Sequence, residues 1–142
     1  MTAQIEDKLK FKGETYFLAT EPLKGYLDRE GIEFFSFSTA CWRGYIATWQ
    51  IKDDKLFLVD LEANTIDGEE VGLRYLFPKQ YEVFAEWFSG ELRVPYGELL
   101  EYIHAGYCSI YEKELHLYFK DGSLYRTQEQ NNRDEHGQHK KR

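Results

Sequence analysis

The sequence predicts an α+β domain dominated by antiparallel β-sheet, open or closed into a partial barrel, with one or two short helices. Three observations carry that expectation. Aromatic residues make up 17% of the 142 residues, with 11 Tyr, 10 Phe and 3 Trp, and such residues favour pleated, half-buried surfaces. Short turn pairs (Lys12-Gly13, Asp53-Asp54, Asp121-Gly122) separate runs of apolar residues in the manner of hairpins. Helix start and stop signals stand together at residues 21–31, where Pro22 lies near the start and Gly31 at the stop. A chain of this length forms one core that buries about two-thirds of its unfolded surface.

In chain order, DKLKFKGETYFLAT (7–20) is a hairpin turning at Lys12-Gly13. EPLKGYLDREG (21–31) is the short helix. IEFFSFS (32–38) reads as a strand. RGYIATWQI (43–51) places Arg43, Tyr45, Ala47, Trp49 and Ile51 on one face. After Asp53-Asp54, KLFLVDLEA (55–63) is so densely apolar that it reads as a central strand covered on both faces. ANTIDGEE (63–70) is a polar loop, and VGLRYLFP (71–78) fits either helix or strand. PKQYEVFAEWF (78–88) also has helical spacing, but the Ser89-Gly90 turn into ELRVP favours a hairpin. GELLEYIH (97–104), SIY (109–111), ELHLYFK (114–120) and SLYRT (123–127) complete the domain. A two-residue turn at Asp121-Gly122 would oppose Phe119 to Leu124, Tyr118 to Tyr125 and Leu117 to Arg126. Residues 128–142 contain no apolar side chain, so the globular domain is read as 1–127 and the remainder as a disordered polar tail.

The net charge is −7. Four of the 18 basic and three of the 25 acidic residues lie in 128–142, so the first 127 residues carry −8. A body this acidic repels phosphate backbones, which excludes nucleic acid as the expected partner and suits a basic protein, with a small molecule as the other expected partner. No apolar run approaches the roughly 18 residues of a membrane span, and the N-terminus lacks a secretory h-region. Two cysteines without an export signal are expected to be reduced thiols in a cytoplasm. Neither a Walker loop, GxGxxG, GxSxG nor HExxH occurs, so no nucleotide or other cofactor is implied. Metal sites at His104/Cys108, His136/His139 or Asp60/Glu62 fall short of a full ligand set.

Two readings of function remain. Trp42, Arg43, Tyr45 and Trp49 lie in one stretch, and Tyr102, Tyr107, Tyr111, Tyr118 and Tyr125 crowd the last third. Trp, Tyr and Arg dominate binding hot spots, so Trp42, Arg43, Tyr45, Trp49, Tyr118 and Tyr125 are the expected contacts of a non-catalytic, acidic binding module for a partner protein or small ligand. The rival reading is a cysteine hydrolase. Cys41 is followed after 63 residues by His104, and His104 after 12 by His116. This spacing resembles that of the NlpC/P60 cysteine hydrolases, which implies a nucleophile, a base and an orienting group in that order. The family places its cysteine at a helix N-terminus, whereas WRGYIATWQI here reads as strand, so Cys41 is expected to be a buried thiol.

The runs TACWRGYIATWQI, KLFLVDLEA, VFAEWFSGELRVP and GELLEYIHAGYCSIYE also resemble a group of small bacterial proteins over residues 7–127. That resemblance implies a stand-alone cytoplasmic protein and brings no activity, ligand or catalytic residue with it.

Overall fold

The structure is a computed structural model that describes residues 4–36, 38–103, 106, 107 and 109–132. It is an antiparallel-rich β-sheet with two short helices, and the sheet is not closed. The strands are β1 (Asp7–Phe11), β2 (Glu14–Leu18), β3 (Tyr45–Lys52), β4 (Lys55–Asn64), β5 (Glu70–Val71), β6 (Val83–Phe84), β7 (Gly90–Glu101), β8 (Ile110–Lys120) and β9 (Ser123–Asn131). The helices are α1 (Lys24–Glu30) and α2 (Leu73–Leu76). The main path runs β2-β1-β3-β4-β9-β8-β7, with β5 and β6 paired to β4. The β1–β3 pair is parallel and its neighbours are antiparallel.

Local chemistry places the hairpins. At Lys12-Gly13, Asp53-Asp54 and Asp121-Gly122 both central residues have positive φ, the conformation whose twist matches that of the flanking strands. Helix α1 stops at Gly31 in the left-handed region, whose N–H returns to Asp28 and Leu27 carbonyls.

The core fills the concave face. Tyr45, Ala47, Trp49 and Ile51 alternate inward along β3 and meet Leu56, Leu58 and Leu61 of β4 and Leu117 and Phe119 of β8. Each fully buried large side chain here contributes about 1.5–3 kcal/mol. Part of the aromatic content seats α1: Tyr26 packs on Phe77 and Trp87, each with centroids 5.0 Å away, and the Trp87 indole donates to the Pro22 carbonyl at 2.9 Å.

Five expectations are corrected. Residues 32–36 are not a strand. Phe35 N–H donates once, to the Asn64 carbonyl at 2.8 Å, while Phe34 packs against Tyr45 and Tyr75, so the aromatic side chains cap the sheet end. β4 is central in the order, but its burial alternates and Asp60 and Glu62 are exposed; a curled sheet has one common interior, and the convex face meets solvent. β6 pairs with β4, not β7, because β9 touches β4 only at Lys55↔Ser123 and leaves the next stretch of that edge free. The β8–β9 register slips after Phe119↔Leu124: a bulge inserts Tyr125, so Tyr118 opposes Arg126 and Leu117 opposes Thr127. Finally, residues 128–131 belong to β9. Backbone pairing with β8 holds them without apolar anchors, and Asn132 is buried, its Nδ2 donating to the Tyr111 carbonyl at 3.0 Å and Glu114 Oε2 at 2.9 Å. The remainder of the expected tail, 133–142, lies outside the described residues. Among the described residues no helix is long and apolar enough to cross a membrane.

Candidate functional site

The two edge strands, β2 and β7, approach each other at one end. Ala19 N–H donates to the Arg93 carbonyl at 2.9 Å, and Arg93 N–H donates to Thr20 Oγ1 at 3.3 Å. The strands run in opposite directions, so the next hydrogen-bonded pair of a continuing ladder would be Phe17 and Pro95. Proline has no N–H, and the ladder ends there. Beyond it β7 bends: its register shifts between Tyr96 and Leu99, and Gly97 has φ +85°. Gly97 sits in a conformation that side-chain-bearing residues rarely adopt, and a Cβ there would also push on the Glu112 side chain, so glycine is favoured at the bend.

The seam opens into a cleft of about 290 Å³ lined by Tyr16, Phe17, Pro95, Tyr96, Tyr111 and Glu6. Glu6, Pro95 and Tyr111 also border a second, smaller chamber of about 50 Å³, which Tyr102 and Tyr107 line as well. Tyr16 and Tyr96 meet edge to face with centroids 5.7 Å apart, the arrangement aromatic quadrupoles favour. Tyr96 donates its hydroxyl to Glu129 Oε2 at 2.9 Å. Burial and then this bond push the Tyr96 phenol up to about 12. Burial, with Glu6 and Tyr102 close by, likewise raises the Tyr111 phenol, so both rings are neutral at physiological pH.

A buried polar network fixes the inner wall. Asp7 on β1 accepts from Arg43 Nη2 at 2.6 Å, Ala47 N–H at 3.0 Å and the Trp49 indole at 3.1 Å. Burial pushes the Asp7 carboxyl up against the opposing pull of Arg43 and these donors. Arg43 Nη1 donates to the Ile5 carbonyl at 2.6 Å and to the Tyr107 hydroxyl at 3.1 Å. From the other side Arg93 bonds the Tyr107 carbonyl and, at 2.6 Å, Glu114. Tyr107 is therefore clamped at both ends, and both guanidinium charges have carboxylate partners.

The residues singled out in the sequence separate. Trp49 is sealed in the core at 0% exposure, and Tyr45, at 2%, is also part of the inward, core-forming face of β3 while bordering a recess beside Arg43. Arg43 belongs to the network, lies 5.1 Å over the Tyr45 ring, and borders a different recess of about 250 Å³ with Glu21 and Lys24. The Arg43 Nε and Tyr45 hydroxyl are buried without a protein partner. Trp42 is exposed, and its N–H is held by Gln4 Oε1 at 2.8 Å. Tyr118 and Tyr125 pair with centroids 6.4 Å apart on the convex face of β8 and β9, with Arg126 over Tyr118.

Cys41 is a free thiol at 0% exposure that donates to the Tyr45 carbonyl at 3.4 Å. His116 is held at Nδ1 by Glu91. His104, with Cys108, lies outside the described residues. Among the described residues no three His, Cys, Asp or Glu side chains gather as a cation site would require.

Glu6, Tyr16, Phe17, Pro95 and Tyr96 escaped sequence reasoning because the cleft exists only where β2 meets β7, strands far apart in the chain. Pro95 inside a strand-like run was the available signal, since proline in a strand marks an edge. A wider recess of about 700 Å³ flanks β4 near Glu62, Asn64 and Glu70, but no ring lines it. The chain matches no protein-family model, no curated protein and no solved structure.

Proposed function

We propose that this chain is a non-catalytic cytoplasmic binding module whose site is the tyrosine-lined cleft between β2 and β7, and that its ligand is a small molecule rather than a protein. The carrying observation is the convergence of Tyr16, Phe17, Tyr96 and Tyr111 on one concave seam, backed by a clamped Tyr107. Concave sites with rings and a few placed polar groups are where small molecules bind. A volume near 300 Å³ suits a ligand smaller than a typical cofactor. The acidic surface, at a net −7, would serve as a field around that cleft. The shielded thiol of Cys41, directed at a carbonyl, supports binding over a hydrolase, and a buried free thiol fits a reducing compartment.

The test is a small-molecule library screened by amide chemical-shift mapping on the full ¹⁵N-labelled chain. Binders should move the resonances of residues 15–17 and 95–97, and Tyr16→Ala should abolish the effect without altering the remaining spectrum. A library whose binders all map elsewhere, or that contains none, would defeat the proposal.

A further inference from the structure

Among the described residues, the walls of the cleft carry no basic side chain. Glu6, Thr15, Tyr16, Phe17, Pro95, Tyr96, Gly97 and Tyr111 form the larger chamber, and the smaller one adds no Lys, Arg or His among the described residues. The cations around it are paired: Arg43 with Asp7, Arg93 with Glu114, and Lys113, opposite Tyr96, with Glu129 at 3.9 Å. Glu6 borders both chambers and has no cationic partner among the described residues. Glu129 accepts the Tyr96 hydroxyl, and a phenol that donates to a carboxylate has a more electron-rich ring. The site thus joins several aromatic faces to one uncompensated carboxylate.

From this charge and shape we infer that the cleft takes a small organic cation of the alkylammonium or quaternary ammonium class, its charge against the tyrosine faces and Glu6. The inference rests on the cleft being the binding site. Ring faces attract cations through their quadrupoles, and most strongly when water is excluded. An anion would meet Glu6 and the acidic surface, with no basic side chain lining the cleft among the described residues to pair it. A sugar would need several fixed hydrogen-bonding side chains, and the cleft offers few: the Ser109 hydroxyl is already engaged by the Ile103 N–H and carbonyl at 2.9 and 3.3 Å. A cation with an apolar shell requires neither.

The experiment titrates the full ¹⁵N-labelled chain with choline chloride and, separately, with 3,3-dimethylbutan-1-ol, its uncharged carbon isostere, at constant chloride. Choline should give saturable shifts at residues 15–17, 95–97 and 111, with the alcohol weaker by roughly tenfold. Glu6→Gln should weaken choline by a similar factor and leave the alcohol unchanged. Tyr16→Phe should retain choline binding, and Tyr16→Leu should lose it. Equal binding of the alcohol in the cleft would overturn the cation inference and leave the cleft standing as the site. The absence of cleft shifts with choline would also overturn it, while the library screen decides separately whether the cleft binds at all.

Discussion

Arg43 reaches back 36 positions to place Nη2 2.6 Å from the carboxylate of Asp7, in a pair whose side chains are 7% and 0% exposed. The same carboxylate accepts from Ala47 N–H and the Trp49 indole, so one acidic residue on β1 sets the start of β3, a core tryptophan and the arginine that holds Tyr107.

Removing that acid should be severe. Asp7→Ala leaves Arg43 buried without its counter-charge and is expected to cost about 3–5 kcal/mol, read as a large fall in the urea midpoint. A double change of Asp7→Leu with Arg43→Met should recover only part, since Ala47 N–H and the Trp49 indole would still lack their acceptor. A loss below about 1 kcal/mol for Asp7→Ala would mean that the pair is solvated.

Acid should unfold the protein partly through Glu114. Its carboxyl is raised by burial, but hydrogen bonds from Arg93 and Asn132 and the Arg93 charge outweigh that and hold it below the ordinary 4.5. The folded state therefore binds this proton less readily than the unfolded state. The associated stability is fully present above about pH 4.5 and is lost as pH falls through the depressed value. Glu114→Gln should be less stable at pH 7 and show a shallower acid limb in thermal melts. An unchanged limb would exclude Glu114 from acid unfolding.

Gly44 has φ +76°, and a Cβ there would lie 2.6 Å from the Phe35 carbonyl oxygen, which is backbone and not a flexible tip. Gly44→Ala should destabilise by about 1–3 kcal/mol from the left-handed conformation alone, with the collision added to it. Thermal melting checks this. A neutral result would require the 34–36 segment to move away freely.

Cys41 should behave as a core thiol. Iodoacetamide should label it in the native protein no faster than a free thiol, and no faster than the protein opens. Cys41→Ser should cost about 1 kcal/mol, the low end for a buried hydroxyl, because the Tyr45 carbonyl is available as an acceptor. Rapid labelling near pH 6 that is lost in His104→Ala would restore the hydrolase reading.

What the sequence determined by itself is what short-range chemistry determines. The turns at Lys12-Gly13, Asp53-Asp54 and Asp121-Gly122 and the stop at Gly31 depend on the φ preferences of adjacent residues, and the inward face of β3 follows from simple alternation. Those features were legible because each is decided within a few residues. Tertiary structure decided the rest. Whether Trp49 faced a ligand or the core depended on what packed over β3, and the partner of β6 depended on which edge β9 left free. The Tyr125 bulge altered a register that local pairing rules would have kept straight. The cleft itself required β2 and β7 to meet at Ala19 and Arg93 and then part at Pro95. Contacts between residues this distant leave no periodic trace in a sequence, since they are selected by packing and backbone hydrogen bonding across the whole sheet.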